Sequence, residues 1–138
     1  MPDHTAADGM MECSEHSEVA TEMQMLFIIN DPPYGTERAY NAMRHATAVS
    51  RQPETAVKIF LMADAAQCAR RGQQTPNGYY NLERMISSAV RHGAELGACG
   101  TCMDARGITD ADLVAGVHRS SMEELTAWTI WAEKVIVY

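Results

Sequence analysis

The chain has 138 residues, 46% of them hydrophobic, and its formal net charge at pH 7 is −7. This length and composition predict one globular domain with its own core, and no apolar run reaches the ~20 residues that a transmembrane helix needs. The sequence shows neither a signal peptide nor a basic patch with interleaved aromatic residues, so we expect a cytoplasmic protein without nucleic acid or membrane partners.

The negative charge is concentrated at the N-terminus. Residues 1–25 contain six acidic and no basic residues, whereas the remainder contains 12 acidic and 11 basic residues. A segment with this charge and few large apolar residues cannot bury enough surface to offset its ordering entropy. We therefore predict a mobile acidic extension over residues 1–24 and a folded domain over residues 25–138.

The first half of the domain has the pattern of a parallel βαβ unit. The apolar run 25–29 predicts a strand buried on both faces, and 56–62 predicts a second strand. Between them, Thr36 can cap a helix that places Ala39, Met43 and Ala46 on one face.

The second half continues the alternation. A helical pattern from Leu82 stops at Gly93, a short strand follows over residues 94–98, and a final buried strand is expected over residues 134–138. Two pairs resemble capping boxes that open helices, Thr109 with Asp112 and Ser121 with Glu124. We predict a single three-layer α/β/α domain with a mostly parallel five-stranded sheet, of which these patterns locate four strands.

Two loops leave the carboxyl ends of predicted strands and contain the chemically distinctive residues. These are "NDPPYGT" at 30–36 and "CGTCMDARG" at 99–107. Open parallel sheets bind ligands at this end of their strands, so both loops should open onto one edge of the sheet. The glycine spacing of a P-loop or dinucleotide fingerprint is absent, and we expect no cofactor.

Cys99 and Cys102 form a CxxC pair in the second of these loops. A structural zinc site usually needs four Cys or His ligands, and Cys68 is expected to be a small buried residue, so no metal site is predicted. Cytosolic thiols are kept reduced, which argues against a permanent disulfide. Catalytic or carrier thiols remain, beside the simpler alternative of two partly buried cysteines in a turn.

Local electrostatics favour Cys99 as the nucleophile. Thiolates form where positive charge or a helix N-terminus stabilises them. Arg106 can fold back over the loop because Gly107 permits a tight turn, whereas Asp104 would oppose the thiolate if it pointed inward. Arg106 can equally pair with Asp104 or Asp110 at the surface.

The motifs resemble those of the DsrE/DsrF-like family, and most closely its small YchN-like members. The resemblance runs through "PYGTERAYNAMRHA", "KIFLMADAA", "CGTCMDARGI" and "ELTAWTIWAEKVIVY" and covers the domain without the acidic extension. The family implies an α/β domain that associates into trimers or hexamers, and several relatives traffic sulfur. In those relays a cysteine takes sulfane sulfur from a protein donor as a persulfide and passes it to an acceptor thiol.

The resemblance places the carrier cysteine at Cys99. Cys102 departs from the sulfur-carrier branch and agrees with the YchN-like branch, which suggests a resolving or modulating thiol. Tyr34 and Gly35 can wall the sulfur pocket from the neighbouring loop, and Asp104 and Gly107 complete the predicted site.

Residues outside the loops have simpler interpretations. His118 is expected to be a packed or solvated histidine, and Trp131 and Tyr138 are interface candidates if oligomers form. Two alternatives to sulfur transfer stay open: a CxxC thiol-disulfide redox or regulatory protein, and a non-catalytic oligomeric protein that binds a small ligand.

Overall fold

A computed structural model of the chain describes residues 22–138, and its five strands form one sheet in which all neighbouring pairs are parallel. The strand order is β4-β3-β2-β1-β5. The strands are β1 Met23–Ile29, β2 Thr55–Leu61, β3 Glu95–Cys99, β4 Val117–Ser120 and β5 Lys134–Val137. The helices are α1 Arg38–Ser50, α2 Leu82–Arg91, α3 Gly100–Asp104 and α4 Met122–Trp131, with 3-10 turns at Ala63–Ala69 and Asp110–Asp112.

The predicted fold class is confirmed, and the sheet is wholly parallel. Strand β1 begins at Met23, two residues before the predicted domain start at Met25. Residues 1–21 of the predicted mobile extension lie outside the described residues. No helix in the described part of the chain is long and apolar enough to cross a membrane.

Helices α1 and α2 cover one face of the sheet and form the main core with it. The helical period of α1 turns four small or apolar side chains inward: Ala39, Ala42, Met43 and Ala46. Helix α2 begins at Asn81, whose side chain accepts a hydrogen bond from the Arg84 N–H, an N-cap that the sequence prediction missed.

Helix α4 packs on the opposite face, above a smaller core. This second cluster contains five buried residues: Leu26, Phe60, Cys99, Leu125 and Trp128. The ring of Trp128 meets the Phe60 ring edge-on at 6.1 Å between centroids. Cys99 is therefore part of this thinner layer of the domain.

The two edge strands differ from the sequence predictions. Strand β4, which the apolar pattern did not reveal, pairs with β3 and joins Cys99 to Ser120 in register. The prediction of a buried final strand is wrong, because β5 is an edge strand with Val135 42% and Val137 63% exposed. No strand pairs with its outer side in the described sheet, and α4 does not cover these two side chains.

Candidate functional site

The two cysteines lie at the carboxyl end of β3, where the chain passes directly into a helix. Cys99 is the last residue of β3 and the N-cap of α3, and Cys102 lies in the first turn of that helix. Both are free thiols. A helix N-terminus presents unsatisfied N–H groups, so a thiolate at Cys99 has donors within its own loop.

Cys99 has the environment of a thiolate. Burial alone would raise its pKa, but hydrogen bonds from the Cys102 thiol, the Thr101 hydroxyl and the N–H groups of both residues outweigh it and lower the pKa. The Cys99 Sγ lies 3.4 Å from the Thr101 Oγ1.

Cys102 has the opposite character. Burial and the hydrogen bond that its thiol gives to Cys99 raise its pKa, although the Ala63 N–H and the charge of Arg106 act against this. The Ala63 N–H donates to the Cys102 Sγ over 3.2 Å. The arrangement thus favours a thiolate at Cys99 with a protonated Cys102 beside it.

The two thiols of the pair differ in their exposure. Cys99 is only 7% exposed because the second core cluster under α4 covers it, whereas Cys102 is half-buried. The more accessible thiol of the pair is therefore that of Cys102.

Arg106 folds back toward the cysteines as the sequence suggested, but its acidic partner is Asp64. The Arg106 guanidinium binds one Asp64 oxygen at 3.0 and 2.7 Å, and its Nη1 donates to the Cys102 carbonyl oxygen over 3.1 Å. Asp64 belongs to the 3-10 turn after β2. The ion pair consequently ties the loop with the cysteines to the neighbouring strand end.

Asp104 is exposed and forms a bidentate ion pair with Arg119, with both N···O distances at 2.8 Å. These hydrogen bonds lower the pKa of Asp104. The Arg119 guanidinium also lies close to Gly100, since a Cβ built there would be 2.9 Å from its Nε. Arg119, which sequence reasoning missed, thus brings a positive charge next to Cys99.

The residues predicted in the other loop follow β1, which β2 separates from β3 in the sheet. The exposed Tyr34 ring stacks on Tyr80 at 5.9 Å, its hydroxyl donates to Gln73, and its oxygen accepts from the Leu82 N–H over 3.2 Å. None of these contacts includes a cysteine of the pair. Gly35 is exposed beside Pro32 in the same loop.

Gly107 turns the chain after α3. Its φ of +64° lies in the region that glycine adopts at little cost, and it follows Arg106 directly. The structure therefore brings Cys99, Cys102, Arg106 and Gly107 into one loop and places Asp104 on its outer side.

A polar cluster lies beside Cys99 on β4 and α4. The Ser120 hydroxyl donates to the Glu124 Oε1 over 2.6 Å, and the His118 Nε2 contacts the same Glu124 oxygen. His118 also packs edge-on against Trp128, in agreement with a packed histidine. These side chains connect the strand next to Cys99 with the helix that covers it.

Comparisons with known proteins agree with this architecture. The sequence model of the DsrE/DsrF-like family matches residues 23–138. Protein YchN of Escherichia coli K12 is 36% identical over 118 residues, which cover 84% of this chain and 100% of that protein. An uncharacterised protein of Methanopyrus kandleri is 36% identical over 111 residues, covering 80% of this chain and 90% of its own length.

Solved structures show the same fold. The crystal structure of YchN from Escherichia coli matches with a TM-score of 0.79 and 33% identity, covering 84% of this chain and 99% of that one. A protein of unknown function from Methanobacterium thermoautotrophicum matches at a TM-score of 0.69 and 15% identity, covering 85% and 100%, a likeness of fold alone. With its parallel sheet and its matched length, the chain belongs to the DsrE/DsrF-like family.

Proposed function

We propose that this protein traffics sulfur in the cytoplasm: it carries sulfane sulfur as a persulfide on Cys99 and passes it to an acceptor thiol. The observation that carries the proposal is the position of the free Cys99 thiol at the N-terminus of α3, with its sulfur 3.4 Å from the Thr101 Oγ1 and Cys102 in the same turn. These surroundings lower the pKa of Cys99 and raise that of Cys102. Membership of a family associated with sulfur relay supports the same chemistry.

The proposed transfer exchanges one sulfur–sulfur bond for another. The Cys99 thiolate attacks the outer sulfur of a donor persulfide, a bond forms between these two sulfurs, and the donor leaves as a thiolate. Cys99 then holds the outer sulfur until an acceptor thiolate attacks it by the same step. No external oxidant or reductant is needed.

Cys102 acts as the resolving or modulating thiol in this proposal. Its sulfur can attack the inner sulfur of a Cys99 persulfide, forming a Cys99–Cys102 disulfide and releasing hydrogen sulfide. Because the pKa of Cys102 is raised, it stays protonated and this loss of sulfur stays slow.

The remaining site residues position the loop and its partners. Arg106 donates a hydrogen bond to the Cys102 carbonyl oxygen, and Gly107 allows the turn after α3. The ion pair with Asp104 holds Arg119 near Cys99. Tyr34 and Gly35 form the neighbouring wall against which a protein donor or acceptor docks. Exposed apolar side chains on α4 and β5 support association into a trimer or hexamer.

Intact mass spectrometry tests the carrier function. The reduced protein is incubated with a persulfide donor as wild type, Cys99→Ser, Cys102→Ser and Cys68→Ala. Cys68 is the control because burial raises its pKa to about 12 and makes it unreactive. We expect one added sulfur on every variant except Cys99→Ser, and equal uptake by Cys99→Ser would refute the proposal.

A second candidate function follows from the hydrogen bond between the two thiols. The same pairing suits a thiol-disulfide switch, in which an oxidant converts Cys99 and Cys102 to a disulfide. In the same experiment a switch would show the loss of two hydrogens and no gain of sulfur.

A further inference from the structure

A basic groove runs between α1 and α2 on the side of the molecule that the thiols do not use. It has a volume of about 400 Å³ and a floor that includes Met43 and Met85. Three exposed arginines line it: Arg44, Arg51 and Arg84. The groove therefore combines an apolar floor with three positive charges at its rim.

The three arginines have no acidic partner within the described residues. The ion pairs found there use other basic side chains, and Arg44 only contacts the Asn41 amide at 3.3 Å and the face of the Tyr40 ring at 5.4 Å. Arginine forms strong, directional bonds with carboxylates, so this rim fits a carboxylate-rich occupant.

The chain enters the domain near the end of the groove where Arg51 lies. The Met23 N–H donates to the Glu54 carbonyl over 2.8 Å, three residues after Arg51, and Met23 packs against the core under α1 and α2. Met23, where β1 begins, is thus close to the end of α1 that carries Arg51. The segment before Met23 lies outside the part of the chain that matches the family, which begins at residue 23.

We infer that the acidic N-terminal segment of this chain docks in the groove between α1 and α2, with the carboxylates of Glu12, Glu15 and Glu18 on the arginine rim. The segment has the required charge, since residues 1–25 contain six acidic and no basic residues. This surface and its occupant are independent of the proposed thiol chemistry.

The length of the segment permits this contact. Glu18 and Glu12 lie five and eleven residues before Met23, which at ~3.5 Å per residue allows spans of up to ~17 and ~38 Å. The part of α1 from Met43 to its C-cap Arg51 is only ~12 Å long at 1.5 Å per residue.

Tethering compensates for the weakness of exposed ion pairs. Each such pair strengthens binding by only about two- to fivefold, but a short tether gives an effective concentration on the order of millimolar. Docking of this kind weakens in salt, because the Debye length falls from ~10 Å at 0.1 M to ~3 Å at 1 M.

Arginine footprinting of the full chain tests the contact. Phenylglyoxal modifies accessible guanidinium groups, and peptide mass spectrometry gives a rate for each arginine. We expect Glu12→Gln/Glu15→Gln/Glu18→Gln to raise the rates of Arg44, Arg51 and Arg84 by about fivefold. Arg38 and Arg71, outside the groove, should keep their rates, and Ser14→Gln/Ser17→Gln is the matched control of unchanged charge.

The reciprocal experiment changes the groove. Arg51→Gln should speed cleavage of the segment by a glutamate-specific protease at least twofold, whereas Arg71→Gln should leave the cleavage rate unchanged. A rate increase for both variants, or for neither, would contradict docking at this groove.

The remaining outcomes separate the occupants. The wild-type protein is also mixed with a tenfold excess of the glutamate-to-glutamine variant. If the wild-type arginines stay protected from phenylglyoxal, the segment docks within its own chain. If the protection is lost, the segment docks on a second copy instead. Equal modification rates of the groove arginines in the wild type and in the variant without the three glutamates overturn the proposal. They overturn it even if inorganic phosphate slows the modification, because the groove then binds an anion but not the segment.

Discussion

Cys99 and Cys102 lie in one turn of the chain, yet their surroundings move their pKa values in opposite directions. The hydrogen bond between them acts on both, because it stabilises the thiolate of the acceptor and the protonated form of the donor. Replacing either thiol should therefore change the pKa of the other, and this change can be measured.

Removing the donor should make Cys99 less acidic. Cys102→Ala deletes the hydrogen bond to the Cys99 sulfur, so we expect the Cys99 pKa to rise and its alkylation at pH 7 to slow about threefold. Cys102→Ser keeps a donor and is the matched control, with a smaller change. The pH dependence of iodoacetamide reaction measures both, and equal pKa values in the wild type and Cys102→Ala would contradict the role of the bond.

Arg119 should contribute to the same thiolate through its charge. The hydrogen bonds to Asp104 raise the pKa of Arg119 most, and the charge of the Cys99 thiolate adds a smaller contribution, so by reciprocity Arg119 favours that thiolate. Arg119→Gln is expected to slow Cys99 alkylation at low salt and to have less effect at high salt, because salt screens exposed charges. Arg44→Gln, which removes an exposed arginine from α1 on the other face of the sheet, is the control and should not slow the reaction.

The sequence located the thiols and Arg106 but not Asp64 and Arg119. Cys99, Cys102 and Arg106 are close in the chain, so their spacing alone indicates a common site. Arg119 and Asp64 reach the loop only through the parallel pairing of β3 with its two neighbours, a long-range property that no local pattern contains.

At the scale of elements, Glu124 joins β4 to α4. The Ser121 hydroxyl caps α4 by accepting from the Glu124 N–H over 3.2 Å, as predicted, but the Glu124 carboxylate turns to Ser120 and His118 instead of completing a capping box. The box between Thr109 and Asp112 is complete and confirms that prediction.

The Glu124 contact should make stability depend on pH. Burial raises its pKa, but hydrogen bonds from Ser120 and His118 outweigh this and lower it. A lowered folded-state pKa stabilises the protein above the unfolded value of ~4.3 and loses this effect as pH falls through the folded value. We expect Glu124→Gln to cost about 1 kcal/mol at pH 7 and less at acid pH in urea unfolding, with Glu123→Gln as the exposed control.

The close packing of β3, β4 and α4 gives a second prediction at this scale. A Cβ at Gly97 would lie 2.9 Å from the Ser120 Cβ and 3.2 Å from the Trp128 ring. Gly97→Ala should therefore destabilise the protein by about 1–3 kcal/mol in chemical denaturation. Adding Ser120→Gly, which removes one contact, should recover part of the loss, and full stability of Gly97→Ala alone would contradict this packing.

Strand detection by apolar pattern located the three central strands and β5 but missed β4. Strands β1, β2 and β3 lie in the middle of the sheet and were located to within two residues. Strand β4 has the sequence Val-His-Arg-Ser, in which three polar side chains bind Glu124 or Asp104, so it lacks the apolar signal. Strand β5 was found because it is apolar, and for the same reason its exposure was not foreseen.

At the scale of the whole molecule, the exposed apolar side chains are concentrated on α4 and β5. Ile130 is 81% and Val137 63% exposed, although both are large apolar residues. Large apolar side chains exposed on two consecutive elements are candidates for a protein interface.

Charge on this surface should disrupt association. Ile130→Asp is expected to reduce the sedimentation coefficient toward that of a monomer, because burying an unpaired carboxylate in an interface is costly. Thr126→Asp, on the same helix and also exposed, controls for the added charge. An unchanged sedimentation coefficient for Ile130→Asp would show that oligomers, if present, use another face.

The hydrogen bond from Ala63 to Cys102 carries one further consequence. Ala63 has a φ of +51°, a conformation that an alanine keeps only when its surroundings hold it, and its N–H points at the Cys102 sulfur. A thiol, a thiolate and a disulfide sulfur differ as acceptors, so each state gives this amide its own chemical shift and exchange rate. One backbone amide, 39 residues away in the chain, is thus a built-in spectroscopic reporter of the sulfur chemistry, readable without any attached label.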